Sequence, residues 1–137
     1  MVEHVLLVDD DPRIRKIAQM ALQGVAHWQV SLAASGFEAL ESAVKNIPDV
    51  ILLDVMMPEM DGPTTLARLR EIASTAGIPV ISFTAKVQKH ELDSYLALGA
   101  AGIISKPFDP LLLPNEITNI LDRRETKSAT ADPSCFC

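Results

Sequence analysis

The chain has 137 residues, 48% hydrophobic and 22% charged, the make-up of one globular domain with enough apolar material for a core. Eighteen acidic against twelve basic side chains leave a formal charge of −6, which repels a phosphate backbone and argues away from direct nucleic-acid binding. The apolar runs fall far short of the ~20 residues a membrane helix needs. Met1-Val2-Glu3-His4 opens no secretory signal, and Cys135 and Cys137 at the extreme C-terminus supply no disulfide framework, so a cytoplasmic location is expected.

The first apolar run is Val5-Leu6-Leu7-Val8, followed by Asp9-Asp10-Asp11. After Pro12, residues Ile14, Ile17, Ala18, Ala21 and Leu22 recur at helical spacing, which predicts an amphipathic helix with its proline in the first turn. Trp28-Gln29-Val30-Ser31-Leu32 is the second run. Ser35 then stands as an N-cap with Glu38 completing a capping box, ahead of a stripe of Phe37, Leu40, Val44 and Ile47.

Val50-Ile51-Leu52-Leu53 is the third run and ends in Asp54; a third helix carries Leu66, Leu69 and Ile72. Pro79-Val80-Ile81-Ser82-Phe83 leads to Thr84, and Leu92, Tyr95 and Leu96 stripe a fourth helix. Gly77 and Gly99 stand as stop signals past these two helices. Gly102-Ile103-Ile104-Ser105 leads to Lys106, and a fifth helix holds Ile117, Ile120 and Leu121, with Pro114 favoured over Pro110 at its start. From Glu125 the chain turns small and polar and reads as a flexible tail. Three of the runs are apolar at nearly every position, as strands buried on both faces are. Strand and helix alternate five times, which predicts a single doubly wound α/β domain over residues 1–124 with a tail at 125–137.

Open parallel sheets bind ligands at the carboxyl ends of their strands. Here those ends carry Asp9, Asp10, Asp54, Thr84 and Lys106. Converging carboxylates repel one another by ~4 kcal/mol per pair at 4 Å with an effective dielectric of 20, and a hard cation such as Mg²⁺ relieves that repulsion. A carboxylate beside such a cation can attack phosphorus, with lysine and threonine stabilising the oxygens of the transferred group.

The order Val8-Asp9-Asp10-Asp11, then Asp54-Val55-Met56-Met57-Pro58-Glu59-Met60-Asp61-Gly62, then Phe83-Thr84-Ala85, then Lys106-Pro107-Phe108 resembles the receiver domain of two-component response regulators over residues 3–123. The resemblance implies a flavodoxin-like five-stranded parallel sheet in the order 2-1-3-4-5 with five helices. It implies Asp54 as phosphoacceptor and Mg²⁺ held by Asp10 directly, by Asp9 mainly through metal-bound water, by Asp54, and by the backbone carbonyl of Met56. Thr84 becomes the switch hydroxyl, Lys106 the lysine that pairs with the phosphoryl group, and the Lys106–Pro107 peptide is cis. A histidine kinase or histidine phosphotransfer protein donates the phosphoryl group, and a downstream protein reads the surface of the fourth helix, fifth strand and fifth helix, with a phosphorylation-dependent homodimer as a further implied state. The protein is then a signalling switch rather than an enzyme, with Mg²⁺-dependent self-phosphorylation from small donors and self-dephosphorylation. A stand-alone switch is expected, with output through protein binding or phosphate relay rather than an attached DNA-binding domain, since no second domain is read after residue 123.

The bland alternatives assign Asp11 to capping the first helix, Asp61 to the start of the third, the Met56 and Met57 side chains to loop packing, and His4, His27 and His90 to structural or solvent-facing positions. Cys135-Phe136-Cys137 fits no prenylation signal. Met56 and Lys86 are expected, from the resemblance, to stand where side chains screen attacking water and tune the phosphoryl lifetime. The sequence departs from the family at Ile103, where many receivers carry an aromatic ring, and a muted rearrangement of the fifth-strand face is expected. Two rivals remain: a haloacid-dehalogenase-type phosphatase using Asp9 and Asp11, which lacks the later acidic pair, and a receiver-like interaction module that is never phosphorylated.

Overall fold

Val5–Val8, Val50–Leu53 and Val80–Ile81 carry no side chain that seeks water, and they become the three central strands of a parallel sheet. The computed structural model describes residues 2–131 apart from 56, 85–92, 94–95, 98 and 107, with side chains up to 122. The strands are β1 (His4–Val8), β2 (Gln29–Ala33), β3 (Val50–Asp54), β4 (Val80–Thr84) and β5 (Gly102–Ser105), in the order β2-β1-β3-β4-β5 with every pairing parallel. β1, β3 and β4 are buried at every position, whereas the edge strands β2 and β5 keep exposed residues. The apolar runs of β1 and β3 are unbroken and the Ser82 that interrupts β4 is itself buried, whereas Gln29 and Ser31 interrupt β2 and Ser105 ends β5.

Four helices are described: α1 (Pro12–Gly24), α2 (Gly36–Lys45), α3 (Gly62–Glu71) and α4 (Leu113–Ala131). The helix expected on Leu92, Tyr95 and Leu96 falls within 85–98, where Leu92 and Tyr95 lie outside the described residues. Strand alternation sends Val5, Leu7, Val50, Leu52, Ile81, Phe83 and Ile104 to one face of the sheet, against Ala18 and Leu22 of α1 and Leu113 and Ile117 of α4. Leu6, Val8, Ile51, Leu53 and Val80 go to the other face, against Ala39 and Ala43 of α2 and Leu66 and Leu69 of α3.

The helix starts follow their caps. Asp11 Oδ1 accepts from the Arg13 amide at 2.9 Å, Ser35 Oγ from the Glu38 amide at 3.1 Å, and Asp61 Oδ1 from the Thr64 amide at 2.9 Å. Glu38 reaches back to the amide of Ala34 at 3.3 Å, one residue before the cap it was expected to serve.

Three expectations are corrected. In α1 and α2 the large apolar residues Ile17, Phe37 and Val44, with Ile47 beyond α2, are exposed by 42–55%, while the small Ala39 and Ala43 are buried. α2 lies too close to its neighbours for large side chains, since a Cβ on Gly36 would run into Thr65 Oγ1. α3 stops at Glu71 with Ile72 as its C-cap, well before Gly77; the Arg70 guanidinium then takes the carbonyls of Ala76 and Ile78 at 3.1 and 2.9 Å. α4 begins at Leu113 beside the favoured Pro114 but runs through Glu125 to Ala131, past the expected start of the tail. Residues 125–131 include neither Gly nor Pro, and the next helix breaker is Pro133.

Candidate functional site

Sheet register brings the predicted residues together. Val8 pairs with Leu53, so Asp9 and Asp54 leave β1 and β3 side by side. Asp54 is level with Phe83, which puts Thr84 one residue further along, and Thr84 is level with Ser105, which puts Lys106 just beyond β5. Asp9, Asp54, Phe83 and Lys106 also share the alternation of the α1/α4 face.

Asp9 is fully buried and Asp54 nearly so, while Asp10 is exposed at the rim. One carboxylate oxygen from each of these three lies within 4.8 Å of the others. Lys106 Nζ donates to Asp9 Oδ2 at 2.7 Å and to Asp54 Oδ1 at 3.1 Å, across 97 and 52 residues of sequence. Burial pushes the Asp54 carboxyl up to about 6, aided by the charge of Asp9 and opposed by the Lys106 ammonium. Burial alone would lower the Lys106 ammonium, but the hydrogen bond and charge of Asp9, then those of Asp54, hold it above its ordinary value.

The backbone around these side chains is fixed. The Asp9 amide donates to Ala33 O at 3.1 Å, and the Lys106 amide to Thr84 O at 2.8 Å. Asp9 Oδ1 accepts from the Asp11 amide at 2.9 Å, and Asp9 O from Arg15 Nη1 at 2.7 Å. After Asp54 the loop is anchored by buried Met57 and Met60, and Glu59 adopts a left-handed φ of 68°. The Gly62 amide closes it by donating to Val55 O at 2.9 Å. Gly62 is required there, because a Cβ would stand 2.5 Å from the Asp54 carbonyl oxygen and 2.8 Å from Val55 Cα.

The three carboxylates fit a divalent cation. Among the described residues they face a single pairing ammonium, so negative charge is left over there, and their all-oxygen donor set at an open rim suits Mg²⁺. Asp11 stands apart: it caps α1 and pairs with Arg13 at 3.3 Å, which leaves the Asp9/Asp11 phosphatase reading without its second acid. Asp61 caps α3, and Met57 packs in the core as expected. His4 is buried with Nε2 2.7 Å from Ser31 Oγ, and His27 is exposed. Met56, Lys86, His90, Pro107 and the two cysteines lie outside the described residues.

Two residues escaped the sequence reading. Arg15 was hidden in the polar face of α1, although it stands one turn after Asp11. Phe83 lies beneath the Lys106 ammonium, 4.9 Å from ring centroid to Nζ. It stood in the quoted motif without a role, and its place level with Asp54 emerges only from the register.

A five-stranded 2-1-3-4-5 sheet with an Asp, Asp, Lys cluster at its carboxyl edge defines a receiver of the flavodoxin-like class. The response regulator receiver domain family matches residues 5–118, and the chain belongs to that family. It is 34% identical over 130 residues to the response regulator Rre1 of Synechocystis sp., covering 95% of this chain and 56% of that protein. It is 37% identical over 134 residues to the transcriptional regulatory protein SrrA of Staphylococcus aureus, covering 98% of this chain and 53% of that one. The chain thus spans about half the length of the curated relatives it matches. Among solved structures, the chemotaxis protein CheY4 of Vibrio cholerae superposes with a TM-score of 0.82 at 33% identity, over 88% of this chain and 99% of that one. Phosphorylation on aspartate in two-component signalling, and Mg²⁺ binding at an acidic pocket, are general to the family. Among the described residues no helix is long and apolar enough to cross a membrane.

Proposed function

We propose that the chain is a phosphorylation-driven switch in which Asp54 accepts a phosphoryl group from the phosphohistidine of a sensor kinase or phosphotransfer protein in the cytoplasm. The observation that carries this reading is Lys106, whose ammonium reaches both Asp9 and Asp54 from the far end of the chain. An Asp54 carboxylate oxygen attacks phosphorus, the P–N bond breaks, and the imidazole leaves with the electron pair. Asp9, Asp10 and Asp54 would hold Mg²⁺, which would supply positive charge beside the oxygens of the transferred group. Lys106 turns from the Asp54 carboxylate to those oxygens, and the Thr84 hydroxyl donates to another of them.

The adduct adds a charge of about −1.5 to −2 at pH 7 in place of one carboxylate. The motions of Thr84 and Lys106 pass that change to the face formed by the fourth predicted helix, β5 and α4, where a downstream protein or a second copy binds. The same site takes phosphoryl groups from small donors and loses them to water, so the chain acts on itself and on no separate substrate. It works either as a free-standing domain or joined to an output domain.

Intact-mass spectrometry after incubation with acetyl phosphate tests this reading. A single phosphoryl adduct that needs Mg²⁺ and disappears in Asp54→Asn is expected. No adduct from acetyl phosphate or from any of a panel of histidine kinases would favour the unphosphorylated interaction module instead.

A further inference from the structure

Lys106 has a neighbour besides its two carboxylates, the ring of Phe83, whose centroid lies 4.9 Å from Nζ. Phe83 in turn lies 5.0 Å from Phe108, centroid to centroid, with the rings tilted by 54°. Phe108 is one wall of a cleft of about 360 Å³ between β5 and α4. Ile103, Ile104 and Ile120 supply its apolar surface, and Asp109 and Glu116 stand on it as acids.

Neither acid is paired with a lysine or arginine among the described residues. Asp109 spends one oxygen on the Leu111 amide at 2.9 Å, and Glu116 lies exposed in the first turn of α4. An occupant must therefore satisfy two demands at once. Apolar walls reward an apolar side chain, and two carboxylates that no described lysine or arginine neutralises reward a cation beside it and repel an anion.

We propose that this cleft seats a partner segment carrying an apolar side chain flanked by Lys or Arg, and that its occupancy is coupled to Asp54 through Lys106, Phe83 and Phe108. The coupling rests on Asp54 being the phosphoacceptor; the seat does not. When Lys106 turns to phosphoryl oxygens it leaves its place over Phe83, and the Phe83–Phe108 pair repacks along the cleft wall. The route is made of the two rings and uses no aromatic side chain at position 103, where this chain has Ile103. By reciprocity, an occupant that prefers one wall position biases Lys106 by the same free energy.

Fluorescence anisotropy with a labelled dodecapeptide of alternating Leu and Lys, against its Leu/Glu counterpart, tests the seat on the full chain. The Lys peptide is expected to bind and the Glu peptide to fail. The double variant Asp109→Asn with Glu116→Gln should weaken binding roughly tenfold, whereas Glu41→Gln with Glu71→Gln, the same charge change elsewhere, should cost less than about twofold. Equal losses in the two doubles, no binding of the Lys peptide, or equal binding of both peptides would overturn the seat.

The coupling is read by repeating the titration on protein whose phosphoryl adduct has been quantified by mass. Affinity should shift by about fivefold or more, and Phe83→Leu, beneath Lys106 and outside the cleft lining, should lose that shift relative to its own unphosphorylated affinity. An unchanged affinity with the adduct in place would overturn the coupling and leave the phosphoacceptor reading standing. Absence of the adduct would remove that reading and the coupling with it, with the seat decided by the first titration.

Discussion

Gly62 and Asp54 show how one missing carbon atom sets a site. A Cβ at Gly62 would press on two backbone atoms, Asp54 O and Val55 Cα, neither of which can swing aside. Gly62→Ala should therefore cost about 1–3 kcal/mol and displace the loop after β3. Urea unfolding would measure the cost, and adduct formation at Asp54 should slow in the same variant while the fold persists by circular dichroism. Arg15 acts at the same scale from the other side. Its hydrogen bond to Asp9 O holds the peptide from which the Asp10 carboxylate projects.

At the scale of elements, the start of β1 is tied to the turn before β3. Asp49 Oδ2 accepts from the amides of Glu3 and His4 at 2.8 and 2.9 Å, and the Asp49 amide donates to His4 O at 2.8 Å. The Glu3 amide, and against some desolvation the His4 amide, hold the Asp49 carboxyl below its ordinary value of 3.8. A folded value below the unfolded one adds stability that is complete above 3.8 and fades as pH falls through the folded value. Asp49→Ala should cost about 1–2 kcal/mol at pH 7 and visibly less near pH 3, read from paired urea titrations. A difference that is flat with pH would contradict this account. The helices offer a second check. Ala39→Leu should destabilise by about 1–3 kcal/mol because α2 packs tightly there, while Phe37→Ser on the exposed side should stay within about 0.5 kcal/mol.

Across the whole molecule, three carboxylates and one ammonium meet at the carboxyl edge of a sheet that the rest of the chain is arranged to hold. Folding brings these charges together, so a cation that binds only the assembled cluster stabilises the fold as a whole. With Mg²⁺ at a hundred times its Kd the gain is about 2.7 kcal/mol, or roughly 5–10 °C in Tm for a domain of this size. Thermal unfolding in excess Mg²⁺ and in a chelator should show that shift, and Asp10→Asn should abolish most of it. A wild-type Tm indifferent to Mg²⁺ would count against the cluster as a metal site.

Much of this was legible in the residues themselves. Strand runs, helix caps at Asp11, Ser35 and Asp61, and the strand-end residues Asp9, Asp54, Thr84 and Lys106 are local signals, because a cap or a buried strand needs its residue type wherever it occurs. Which helical positions face inward was not legible for α2. The stripe Phe37, Leu40, Val44 has the right period, but close packing beside Thr65 gives the buried face to Gly36, Ala39 and Ala43. The end of α4 was misread for a related reason: small polar residues look like a tail, yet nothing among 125–131 breaks a helix already begun. The sequence by itself determined the five strands, the starts of the first three helices and the chemistry at the strand ends. Only the tertiary structure decided that Lys106 meets Asp9 and Asp54, that Phe83 lies under it, and that Arg15 holds the Asp9 carbonyl. Those pairings depend on strand register and on contacts between residues far apart in the chain, and no local pattern of residue types encodes them.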